Sequence, residues 1–277
     1  MQYFKNLFKA LINSAINMIN HDGIEHAGYL SFLVLFSIFP FIIFFLVLTS
    51  LFGLSDFGVS FIEAITAQMP GDFIKTRVQE LLKVPPQSLM TLAILGSIWT
   101  ASSFVEGLRT ILNRIYHLEA PPSYLFRRML SILQFFIISM FLFFAMMVLV
   151  VMPVVLAKLS EIKIVIDQLS ECWRHVRYML IFICLFLSSS ALYYIIPNVK
   201  IKFMEVFPGA FLTVSLWLLS GYLLSNYIKY YSQLSFVYGS LGNIIVTMIF
   251  FYIGNMIFIY GAEFNYEISK QKLSKSS

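Results

Sequence analysis

The residues able to do chemistry in this chain are few and scattered. Its four histidines, His21, His26, His117 and His175, stand in four separate polar contexts, with no HxH, HxxxH or HExxH spacing. A hydrolase or nuclease needs His, Asp, Glu or Cys converging on a metal or an activated nucleophile. Neither a phosphate-binding Walker loop nor a GxSxG elbow occurs. Cys172 and Cys184 lack CxxC or Cys/His ligand spacing, which leaves them as free thiols. Serines abound, but Ser188-Ser189-Ser190 reads as hydroxyls bonding backbone carbonyls or neighbouring helices. The expectation is a protein with no catalytic residues, metal or cofactor.

What remains is a set of charges and breakers at the edges of apolar runs: Glu25 and His26, Glu106 and Arg109, Glu205, and Glu263. Their first reading is interfacial caps and salt bridges. Their second is a polar vestibule, with Glu106 and Glu263 as its charges and Arg109 as an anion or headgroup contact. Pro40 falls near the midpoint of the first apolar run, where it removes a backbone hydrogen bond and can act as a kink or hinge. Gly254-Asn255 interrupts the last run with an amide that needs a partner, from helix packing or from a substrate. Pro40, Glu106, Arg109, Asn255 and Glu263 are therefore the candidate substrate-pathway residues.

The elements that must position them are helices in lipid. Of 277 residues, 59% are apolar and 12% charged, against roughly 45–50% and about 25% in a soluble domain. Mean hydropathy is +0.83, more apolar surface than one compact core can hide. A bilayer core about 30 Å thick needs about 20 mostly apolar residues per helix. Residues 27–53, 129–157, 178–197, 207–228 and 241–262 meet this without an Asp, Glu, Lys or Arg. A sixth run, 88–104, is shorter and carries Thr91, Gly96, Ser97, Thr100, Ser102 and Ser103, so it lies against other helices or re-enters.

Residues 1–22 read as an interfacial amphipathic helix, with Phe4, Leu7, Phe8, Leu11, Ile12, Ile16 and Ile19 on one face. Helical periodicity also marks two long connections, one through Ile74, Val78, Leu81 and Leu82 and one from Ile162 to Val176; both are expected on the membrane surface or capping the bundle. Residues 263–277 read as a polar tail. The fold expected is one all-α membrane domain over 1–277, a polytopic bundle of about six transmembrane helices plus amphipathic interfacial helices.

Placing both termini inside puts eleven Lys and Arg on the cytoplasmic side and eight opposite, with Arg127-Arg128 abutting a span. The net charge of +5 is spread along the chain without a nucleic-acid-binding block, and no internal repeat is apparent. Tyr222, Tyr227, Tyr230, Tyr231 and Tyr238 fit an aromatic belt at headgroup depth. Membrane lipids and a lipid or small-molecule substrate are the expected partners.

Several short runs, taken in order, resemble the YihY/BrkB family of bacterial inner-membrane proteins, some of which have carried the label ribonuclease BN. They are Tyr29-Leu30-Ser31-Phe32 leading to Phe39-Pro40, the stretch WTASSFVEGLRTILNRIY from Trp99 to Tyr116, YIIPN from Tyr194 to Asn198, Pro208-Gly209-Ala210, Tyr238-Gly239-Ser240-Leu241-Gly242, and Gly261-Ala262-Glu263-Phe264-Asn265. The resemblance runs from about Gly28 to Glu267, with Gly28 standing where an alanine-rich approach is commoner. It implies six helices with cytoplasmic termini, and a role in envelope or lipid handling. Three functions follow as expectations: transport or lipid translocation without an ATPase, a non-transporting envelope scaffold, and, least favoured for want of a His/Asp cluster, a membrane-associated tRNA-processing ribonuclease.

Overall fold

A computed structural model describes residues 2–51, 56, 59–60, 62–63, 90–118, 122–140, 166–199, 201–230 and 240–276. Among the described residues the chain is all helical, without a strand. Helix α1 spans Gln2–Asn20, α2 Gly23–Leu51, α3 Met90–Ile115, α4 residues 124–140, α5 Ile166–Ile195, α6 Phe207–Tyr230 and α7 Ser240–Ser276. A short 3₁₀ turn, Phe203–Glu205, precedes α6. The stretches Phe203–Leu224 and Ile244–Gln271 are long and apolar enough to cross a bilayer, and Gly23–Ile38 and Ile181–Ile195 are shorter apolar segments.

The amphipathic N-terminal pattern forms α1. Its Ala10 and Ser14 are buried, while Phe8, Ile12, Ile16 and Ile19 are exposed as a stripe at helical spacing. Helix α2 packs along α3, and α7 packs against α1, α2 and α6. The polar run 88–104 therefore lies against another helix. From Met90 onward it is one continuous helix that extends past residue 104 to carry Glu106 and Arg109. Ser102 and Ser103 donate to the carbonyl of Trp99 in their own helix, so their hydroxyls need no outside partner.

Helix boundaries differ from the sequence reading in two places. The periodic stretch ending at Val176 is, from Ile166, the first part of α5, because nothing in Ile166–Tyr178 breaks a helix before the apolar run begins. The polar residues after 262 continue α7 to Ser276, and Glu263, Phe264, Asn265 and Glu267 are buried. The periodic stretch Ile74–Leu82 and the second half of span 129–157 lie outside the described residues.

The core gathers Ala27 and Leu30 of α2, Leu108, Ile111, Leu112 and Ile115 of α3, Tyr193, and Phe258, Ile259 and Ala262 of α7. Three near-parallel rings tie α5, α6 and α7: Tyr193 stacks on Phe258 at 4.4 Å between centroids, and Trp217 on Phe258 at 6.4 Å. The Tyr193 hydroxyl donates to Phe258 O at 2.6 Å and lies 2.7 Å from Thr213 Oγ1. Burial pushes Tyr116, beyond the end of α3, well above the usual phenol range, and the charges of Glu205 and Glu263 push the same way. It stays a protonated hydroxyl.

Helices α6 and α7 touch backbone to backbone. Asn265 of α7 accepts from Gly209 N at 2.6 Å and donates to Val206 O at 3.1 Å, capping the first turn of α6 from outside. That approach is possible because Gly209 and Gly261 face each other without a Cβ between them.

Candidate functional site: two buried charge networks and an aromatic cavity

The five pathway candidates fall into three places. Glu106 and Arg109 share one network, Glu263 belongs to a second, and Asn255 lines a cavity. Pro40 lies inside the unbroken helix α2, with its side chain outside the described residues.

Glu106 and Arg109, three apart on α3, face the same side of the helix. Arg109 is fully buried, and its guanidinium holds α3, α4 and α5 together. Nη1 donates to Glu106 Oε2 at 2.7 Å, to Arg127 O at 2.7 Å and to Ser131 Oγ at 2.6 Å; Nη2 donates to Gln134 Oε1, and Nε to Ile196 O at 3.3 Å. Gln134 then donates to Ile195 O at 2.7 Å. Carbonyls 195 and 196 are the ones that the end of α5 leaves without helical partners, so a cation there also meets the negative end of the helix dipole. Burial lowers the Arg109 pKa from the ordinary arginine value, Glu106 opposes this, and Arg127 adds to the lowering.

Arg127 Nη1 stands 3.5 Å from Glu106 Oε1. Its neighbour Arg128 lies over the Trp99 ring at 4.0 Å and donates to Trp99 O at 2.7 Å and Ser103 Oγ at 3.0 Å. Sequence reading singled out Glu106 and Arg109 but missed Ser131 and Gln134. The available signal was a polar stripe at Arg127, Ser131 and Gln134, spaced by four and three along an otherwise apolar helix.

The second network joins α1 to α7. His21 Nδ1 lies 2.6 Å from Glu263 Oε1; Glu263 is fully buried, and its other oxygen has no partner among the described residues. One turn on, Glu267 accepts from Asn17 at 2.9 Å and Asn13 at 3.3 Å. Asn13/Asn17 and Glu263/Glu267 are both pairs four apart, so two helical faces meet in register. His117 sets its ring edge-on to both His21 and Tyr266 at 5.2 Å, from a left-handed backbone with φ 53°. Leu118 N bonds to Asn113 O and His117 N to Arg114 O, which closes α3 as a Schellman turn on a non-glycine residue. His21→Ala is expected to leave Glu263 without its one partner and to loosen α1 by about 1–3 kcal/mol. Faster amide exchange across Ala10–Asn17, with α6 still protected, is the measurement.

The cavity, of about 310 Å³, sits among α2, α3, α5, α6 and α7, walled by Val34, Phe104, Leu192, Trp217, Phe251 and Phe258. Trp217 Nε1 donates to Gly254 O at 2.8 Å. Ser220 and Asn255 supply the polar part of the wall. Asn255 spends its amide N–H on Phe251 O of its own helix at 2.9 Å, so its carbonyl oxygen is the group free to meet an occupant. Among the described residues, no three His, Cys, Asp or Glu come together where a metal could be held.

Glu25, His26 and Glu205 stay outside these networks: His26 Nδ1 donates to Asp22 O at 2.8 Å, and Glu205 Oε2 accepts from Lys202 N at 3.4 Å. His26 and Glu205 act as local caps.

Residues 15–277 match the family described as Virulence factor BrkB. The chain is 30% identical to a Bacillus subtilis strain 168 protein that carries the name ribonuclease-like protein YfkH, over 91% of this chain and 92% of that one. It is 27% identical to the UPF0761 membrane protein VV0203 of Vibrio vulnificus strain YJ016, over 92% of this chain and 80% of that one. No solved structure gives a significant match.

Proposed function

The chain belongs to the Virulence factor BrkB family of membrane proteins, and from that premise we propose that it is a multi-pass protein of the bacterial inner membrane, with both termini cytoplasmic, that moves a lipid or small molecule across the membrane. It does so without an ATPase, a cofactor or a catalytic step of its own. The observation that carries this reading is the aromatic cavity walled by five helices, with Ser220 and the Asn255 carbonyl set into it. Ligand sites are of this kind: mostly apolar, with a few polar groups that orient the occupant.

Proteoliposomes of purified protein, loaded in turn with fluorescent phospholipid, a lipid A precursor and small ions, test it. Protein-dependent flux is expected for one of them, and is expected to fall at least about tenfold in a folded Glu106→Gln/Glu263→Gln variant. Absence of flux across the panel would reject transport.

One observation favours the envelope scaffold instead: every nitrogen of Arg109 is already bonded within the protein, as a fixed joint requires. On that reading the double variant changes folding or partner recovery while flux is nil throughout.

A further inference from the structure

Three arginines and one glutamate lie along the facing sides of α3 and α4. Arg109 is fully buried and Arg128 only 7% exposed, while the Arg127 side chain is 22% exposed. Glu106 is the only carboxylate paired with them among the described residues, at 2.7 Å from Arg109 and 3.5 Å from Arg127. Arg128 is held by a hydroxyl, a carbonyl and an indole ring, none of them charged. The Nε groups of Arg127 and Arg128 are buried donors without a partner.

Arginine cannot shed its proton to escape burial. A buried cation without a counter-charge costs several kcal/mol, and three cations against one carboxylate leave two positive charges unanswered. Arg127 is partly open to solvent, but Arg128 is buried without a carboxylate, which favours an anion from outside the described groups.

We propose that Arg127 and Arg128, backed by Arg109, bind one phosphate group, carried by a lipid headgroup or present as free phosphate. Phosphate suits the site because guanidinium forks match its oxygens two at a time. The arginines also stand in the first turns of α4, where the helix dipole favours an anion. Around them Trp99, Leu125, Phe126 and Met129 are all more than half exposed. In a membrane protein such side chains face lipid, and a basic group with an aromatic beside it is the pattern of the headgroup layer. This site does not depend on transport, because a scaffold would bind the same phosphate.

The test uses the full chain in a neutral detergent, washed free of lipid. Its thermal unfolding is followed with dioctanoyl phosphatidylglycerol, with inorganic phosphate, and with dioctanoylglycerol, which has the tails alone. Native mass spectrometry counts what is retained. Stabilisation by the phospholipid but not by dioctanoylglycerol is the expected result; a response to inorganic phosphate as well identifies free phosphate as a sufficient source. Arg127→Gln and Arg128→Gln are each expected to weaken binding at least about tenfold. Glu106→Gln is expected to tighten it, because it removes the competing negative charge. Arg114→Gln, at an exposed arginine paired with Asp22, is expected to leave it unchanged. Arg127 is the more exposed of the two arginines, so its variant remains readable if Arg128→Gln fails to fold.

Equal responses to phospholipid and dioctanoylglycerol with none to phosphate, or unchanged binding in a folded Arg127→Gln protein, would overturn the proposal.

Discussion

Gly209→Ala and Gly261→Ala are each expected to abolish recovery of folded protein, a larger effect than alanine at any other described glycine. A Cβ on Gly209 would overlap the carbonyl oxygen of Gly261 and the carboxamide of Asn265; one on Gly261 would overlap the hydroxyls of Thr213 and Tyr193. Forced overpacking costs typically 1–3 kcal/mol where side chains can shift. Here the opposing atoms include backbone, so the helices themselves must part. Parting them breaks the Asn265 cap on α6 and the Tyr193 hydroxyl bonds together, and the expected loss is roughly 3–5 kcal/mol. Gly28→Ala and Gly221→Ala are the controls: a Cβ at either meets nothing within 4 Å. Both sit in helices, so alanine is expected to be neutral or to stabilise by up to about 1 kcal/mol. Monodisperse yield in detergent and the thermal midpoint measure all four variants.

Arg109→Leu is the second large effect. It removes a buried cation, leaves the Glu106 carboxylate to Arg127 and the Ser131 hydroxyl, and strands the Gln134 amide oxygen and the Ile196 carbonyl beyond α5 in one stroke. Breaking a buried pair by removing one partner costs about 3–5 kcal/mol, because the survivor keeps its burial and loses its partner. Arg109→Lys is expected to recover less than half of that, since an ammonium offers one point of donation where the guanidinium reaches three helices. Arg114→Leu, which breaks the half-exposed pair with Asp22, is expected to cost about 0–1 kcal/mol. The separation between Arg109 and Arg114, measured as unfolding midpoints in the same detergent, distinguishes a joint from a surface ion pair.

The helices were legible because lipid-length apolar runs and a 3.6-residue stripe are local properties, readable without knowing what lies opposite. So were the charged residues at their edges: Glu106, Arg109 and Glu263 all occupy buried networks. Which residue answers which was not legible. Nothing near Glu263 in sequence names His21 as its partner, because that pairing is made by the docking of α1 on α7. Gly209 and Gly261 stood out only as members of the short runs shared with the family, since a missing side chain carries no address. Helix ends were misjudged where polarity was taken as an end. The residues after 262 are polar, yet they bury Glu263 and Glu267 against α1, and a helix persists wherever its polar groups find partners.

That pairing of first helix with last also sets an order of events in synthesis. Helix α1 is anchored through Asn13, Asn17, His21 and Leu11 to Glu263, Glu267 and Tyr260 of α7, about 250 positions later in the chain. At about 5–20 residues per second, roughly 12 to 50 seconds of translation separate the two surfaces. Throughout that interval α1 has no α7 to dock on, and its stripe of Phe8, Ile12, Ile16 and Ile19, exposed in the folded chain too, plays no part in that docking. Docking of α1 therefore waits for α7, and a nascent chain stopped before residue 263 is one whose helix α1 is still undocked.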